Sequence, residues 1–167
     1  MEARAKLFGH PIHQMLIVFP LGLLATSFFF DIAWLATKRP GLGIAAFWMI
    51  FAGIIGGLVA AVFGLIDWLA IPSGTRAKSI GIWHGGGNVV VVALFAASWW
   101  LRRGIVETPP MTAIVLSALA VGLALITGWL GGELVDRLGV GVDDGAHLNA
   151  PSSMSGRPAS DRTHRAA

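Results

Sequence analysis

The sequence predicts an all-α integral membrane protein: a four-helix bundle with both termini on the same side and a disordered C-terminal tail. Two observations carry this. Of the 167 residues, 55% are hydrophobic and only 13% are charged, with a mean hydropathy of +0.73. A soluble domain of this size carries roughly twice that charged share. The apolar residues also fall in long unbroken runs rather than in alternation, and four runs reach the ~20 residues that a helix needs to cross a bilayer.

The runs cover about 15–35, 43–69, 80–101 and 111–135. Each boundary has a chemical reason. "TKRPG" (37–41) and "IPSGTRAK" (71–78) combine charge with Pro and Gly, and "RRGIVETPP" (102–110) ends in a double proline that can only start a helix. The first run follows a short basic lead, as a secretory signal does. It is too long for one and no small-residue cleavage site follows, so it is expected to remain as a helix. Residues 1–142 therefore form one transmembrane domain. From 143 to 167 the chain is polar, rich in Gly, Ser and Pro, and without periodicity, which predicts disorder beyond a few residues that fold back.

Small residues recur at four-residue spacing: Gly53, Gly57 and Ala61; Gly56, Ala60 and Gly64; Ala124, Gly128 and Gly132. Such rows let helix backbones approach in lipid, where the hydrophobic effect drives no association. They predict close packing, either within the bundle or between copies in a homo-oligomer, and would also clear space for a flat cofactor.

The chain has no cysteine. That excludes disulfides, thiolate metal sites, iron–sulfur clusters and covalently attached haem. The net charge of +3 comes from Lys and Arg in short loops and the tail, where membrane proteins normally carry them, so a nucleic-acid partner is not expected.

An even number of spans places the start of the first and third and the end of the second and fourth on one side, here called side A. Nearly every unusual polar residue maps there. The first span brings His10 and His13, the second Asp67, the third His84 and Asn88, and the fourth Glu133, Asp136 and Arg137. Ionisable groups at membrane depth are costly unless paired or facing a watery interior, which makes them functional candidates. His84 and Asn88, and likewise Glu133 and Arg137, are four apart and share a helix face. On the opposite side, side B, Asp31 is expected to form an interfacial ion pair with Lys38 or Arg39. Trp34, Trp68, Trp83 and Trp129 stand near span ends, as interfacial anchors do. "GVDDGAH" lacks oxygen ligands at calcium-loop spacing.

Neutral imidazole ligates haem iron, zinc or copper, and two facing histidines are the minimum for a bis-histidine haem b. His10 or His13 against His84 meets that requirement, with Asp67, Asn88, Glu133 and Arg137 in support. The same groups suit a divalent metal site or a proton relay equally well, and spacing does not separate these. A non-catalytic reading uses the same cluster as a buried polar lock or a partner-docking surface. No catalytic set stands out. Near the spans, side A carries Arg4, Lys6, Arg76, Lys78 and Arg137, and side B carries Lys38, Arg39, Arg102 and Arg103. The basic tail tilts this balance towards cytoplasmic termini.

"GHPIHQMLIVFPLGLLATSFFFDI" (9–32), "GLIDWLAIP" (64–72), "HGGGN" (84–88) and "WLGGELVDRLGVGV" (129–142) together resemble the bacterial four-helix membrane family called domain of unknown function 2231. The resemblance covers roughly Leu7 to Val142 and implies a small multi-pass protein of the bacterial inner membrane. Relatives fused to redox modules imply a redox protein partner. The family pattern reads like "GHPxHPMLxxFPxGL", "GxxDWxxIP" and "LGGELVYRHGVGV". Here Gln14 replaces a proline, while Val18 and Leu138 stand where many members have histidines, so two candidate ligands are missing.

Overall fold

The structure, a computed structural model, describes residues 1–162. A two-residue hairpin, β1 (Lys6–Leu7) with β2 (His10–Pro11), leads into α1 (Ile12–Leu16) and α2 (Val18–Thr37). These two helices form one continuous apolar span, Ile12–Thr37. Its ladder is interrupted because Pro20 has no N–H to offer the Leu16 carbonyl. There follow α3 (Pro40–Ala70), α4 (Arg76–Arg102) and α5 (Met111–Gly132), and the last continues into a π-helical turn at Glu133–Arg137. All four spans are long and apolar enough to cross a membrane.

The helix ends follow from local chemistry. Lys38 takes a left-handed φ of 55° and its N–H bonds the Trp34 carbonyl, which closes α2. Pro40 then starts α3 at a position where no N–H is needed. Thr75 caps α4 by accepting the Lys78 N–H at 3.2 Å. Pro110 precedes α5 in extended backbone.

Leu24, Ile50, Val91, Phe95 and Ala120 form the buried centre of the bundle. The outward surface is itself apolar, with Phe29, Leu58, Trp83, Leu125 and Ile126 well exposed, as expected when the surrounding solvent is lipid. The glycine rows of α3 are consumed inside the chain. A Cβ on Gly53 would strike Leu24, and one on Gly64 would strike the His13 ring.

Two expectations need correction. Arg102 is not a loop charge: it ends α4 fully buried. Asp31 does not pair with Lys38 or Arg39 at an interface. It is fully buried and accepts two bonds from Arg102, with Nη2 to Oδ2 at 2.6 Å. Ser98 Oγ accepts from Nε and Nη2, and Ser117 Oγ from Nη2, each at 3.2 Å. Lys38 lies instead over the Trp34 ring, 4.3 Å from its centroid. The physical reason is depth: Asp31 stands six residues inside the end of α2, where a charge needs a partner drawn from another helix.

Up to residue 162 the tail carries turns and a single 3-10 turn at Ser153–Ser155. It lies against the N-terminal hairpin, and Ser153 Oγ donates to the Phe8 carbonyl at 3.0 Å. The disorder expected of residues 163–167 lies outside the described residues.

Candidate functional site

Side A is where the predicted residues arrive, but they do not all meet. His13 and His84 do, their ring centroids 6.4 Å apart and their planes perpendicular. Both rings are half-buried. His13 Nδ1 lies 2.8 Å from the Ala60 carbonyl of α3, and His84 Nδ1 lies 2.8 Å from the Thr127 carbonyl of α5. A carbonyl only accepts, so each Nδ1 carries a proton; in the neutral ring the lone pair is then on Nε2. Two glycines make the seats: the space a Cβ would take on Gly64 is filled by the His13 ring, and that on Gly131 by the His84 ring. Asn88 Nδ2 donates to His84 Nε2 at 3.3 Å, while its Oδ1 accepts the Thr127 hydroxyl at 2.9 Å.

The other candidates go elsewhere. His10 is exposed in β2, with Nε2 3.4 Å from Ser153 Oγ, and so belongs to the tail contact. Asp67 Oδ1 accepts the backbone N–H groups of Arg4 at 2.7 Å and Ala5 at 3.0 Å, which ties the N-terminal strap to the end of α3. Glu133 pairs with Arg76 of α4 at 2.6 Å rather than with Arg137. The π turn breaks the four-residue alignment that an α-helix would have given the latter pair. Arg137 and Asp136 line an open recess with Trp129, Gly132 and Glu133. Among the described residues there is no group of three or more His, Asp or Glu arranged to hold a metal ion. The side-A cluster expected from all four spans is thus narrower than predicted, with two imidazoles, one amide and one hydroxyl brought together.

On the same side, the N-terminal residues and residues 139–143 hold one another. The Met1 amino group donates to the Gly139 carbonyl at 3.1 Å, and the Gly141 N–H returns to the Met1 carbonyl at 2.9 Å. Gly141 lies against Gln14, the neighbour of His13, at a φ of 83°. Lys6 reaches both Asp143 and Glu2.

Sequence reasoning singled out His13, His84 and Asn88. It missed Thr127, because a threonine in an apolar helix carries no signal until its neighbour is known. It also missed the Asp31–Arg102 pair, whose members lie 71 residues apart.

Four apolar spans, joined by polar contacts across helices at Asp31–Arg102 and Asn88–Thr127, define a multi-pass helical membrane protein. The chain belongs to the family described as predicted membrane protein (DUF2231), which matches residues 9–144. No curated protein and no solved structure matches it.

Proposed function

We propose that the chain is a redox-associated membrane module that binds haem or a metal ion at His13 and His84. The observation that carries this reading is the imidazole pair itself. Each ring gives its Nδ1–H to a backbone carbonyl, the arrangement by which ligating histidines are oriented and made more basic. The two ring centroids stand 6.4 Å apart, so His13 and His84 would hold one bound group between them. With no third His, Asp or Glu grouped beside them among the described residues, the pair suits a group that brings further donors of its own. Haem b does so better than a bare divalent cation. Bound haem would supply one-electron chemistry. The protein would contribute the two imidazoles, and Asn88 would release the His84 Nε2 that it now holds. The termini and this site face the cytoplasm of a bacterial inner membrane, and a redox protein is the partner.

A second reading, a non-catalytic bundle in which polar residues serve as locks, has its own support. Asp67, Glu133 and Arg102 each find a partner on another segment.

Protein purified in mild detergent from cells supplied with haem and metals separates the two. The expected result is a reduced-minus-oxidised difference spectrum that His84→Ala abolishes, with iron or another metal in stoichiometric amount. A featureless spectrum with no metal overturns the redox reading and leaves the locks.

A further inference from the structure

With the exception of Gly43 at the start of α3, the buried residues of the first two spans recur in the last two at constant offsets. In α2 they are Pro20, Leu24, Ser27 and Asp31. Adding 71 to each gives Val91, Phe95, Ser98 and Arg102, all buried in α4. In α3, Ala46, Phe47, Ile50, Gly53 and Ala60 are buried. Adding 67 gives Ala113, Ile114, Ser117, Ala120 and Thr127, the complete buried set of α5. A shared helical period accounts for the spacing within each helix. It does not account for the chemistry that recurs with it. His13 and His84 are counterparts, and so are the carbonyls they bond, Ala60 and Thr127. The glycines that seat them, Gly64 and Gly131, are counterparts too. Ser27 and Ser98 are counterparts, both fully buried.

Counterparts touch each other only beside the axis that relates the two copies. Two such pairs do so: His13 with His84 near side A, and Asp31 with Arg102 near side B. The axis therefore runs along the bundle, parallel to the membrane normal, and relates hairpins of the same orientation. Elsewhere the halves have diverged. Asp67 corresponds to Leu134, and Asn88 to Ile17.

We propose that the chain is a tandem duplicate of one membrane hairpin, and that Asp31 and Arg102 are the residues by which each hairpin selects the other rather than a second copy of itself. A pair of identical hairpins would set Asp against Asp, or Arg against Arg, fully buried on the axis, where like charges are strongly disfavoured. Splitting the position into opposite charges favours only the N-terminal half against the C-terminal half.

Charge exchange in the full-length chain tests this without reference to any cofactor. Asp31→Arg and Arg102→Asp each place like charges on the axis, and each is expected to lose most of the monodisperse protein in detergent. The double exchange is expected to recover most of it. It should fall short of the parent, because an arginine at position 31 finds Ser27 in the place of Ser98 but Ile50 in the place of Ser117. Adding Ile50→Ser and Ser117→Ile completes the exchange and is expected to close that gap. A double exchange no better than either single variant overturns the proposal. So does a quadruple variant worse than the double, because the two sites would then not be equivalent.

Discussion

At the scale of single residues, glycines in the same bundle do opposite jobs, and substitution should separate them. A Cβ on Gly64 would come within 2.9 Å of the His13 ring, and one on Gly131 within 3.0 Å of His84, whereas Gly85 and Gly86 have nothing within 4 Å. Each imidazole is held by its Nδ1–H bond and cannot swing away without breaking it. Gly64→Ala or Gly131→Ala should therefore cost about 1–3 kcal/mol through overpacking. Gly85→Ala should instead stabilise by about 0.5–1 kcal/mol, the usual gain on replacing an unconstrained helical glycine. Thermal unfolding of the three variants in one detergent checks the sign difference; a uniform response would mean the rings are not seated on these glycines. This contrast was only partly legible. The small-residue spacing announced close packing, but which glycine receives a ring depends on a neighbour contributed by a different helix.

At the scale of elements, the N-terminal strap is the part of the fold that sequence reasoning under-read. The polar lead before the first span has too little apolar surface to predict structure. It is ordered by single contacts of long reach: Asp67 on Arg4 and Ala5, Met1 on Gly139, and Lys6 on Asp143 and Glu2. Asp67→Ala leaves two backbone donors without their acceptor, a local loss of about 1–3 kcal/mol. The expected signature is faster amide exchange at Arg4 and Ala5 with helix-core protection unchanged, because the strap opens without the bundle. If exchange accelerates in the helices too, Asp67 belongs to the bundle core rather than to the strap. The Lys6 contacts add a pH dependence of defined sign. Hydrogen bonds to Asp143 and then Glu2 raise the Lys6 pKa above its ordinary 10.5, against a smaller opposing effect of burial. A raised folded-state value means the contribution is complete below 10.5 and is lost as the pH climbs through the folded value. The Lys6 contribution to strap closure, followed by a distance probe between residues 4 and 142, should weaken in strong alkali. In Lys6→Met the alkaline step should disappear. The spans, by contrast, were legible because each is set by its own composition and by Pro, Gly and charge at its ends. The π turn after α5 was not, since nothing in "ELVDR" distinguishes it from a further α turn.

At the scale of the whole molecule, the decisive property is the direction of the chain through the bilayer. It governs which face of the membrane carries His13 and His84 with both termini, and which carries Asp31 and Arg102. The helix order places the α3–α4 connection, around Ser73, on side A and the α2–α3 and α4–α5 connections, around Lys38 and Gly104, on side B. A chain without cysteine lets this be measured cleanly with single cysteines and a thiol reagent that does not cross membranes. Ser73→Cys and Ser160→Cys should react from the same face, and Lys38→Cys and Gly104→Cys from the opposite one. Cytoplasmic termini require the second pair to be labelled from the outer face of the intact membrane, and the first pair only once the membrane is breached. The reverse pattern would keep the fold and move the histidine pair to the outer face. Labelling of positions 73 and 104 from one face would instead overturn the four-span topology and the axis drawn through both polar pairs. Charge counting alone does not settle the orientation: side A has Arg4, Lys6, Arg76, Lys78 and Arg137 against Lys38, Arg39, Arg102 and Arg103. The structure changes that balance, because Arg102 is buried against Asp31 and no longer acts as a loop charge facing the headgroups. With Arg102 set aside, side A carries five such residues against three on side B, and the labelling pattern tests whether that asymmetry follows the positive-inside tendency.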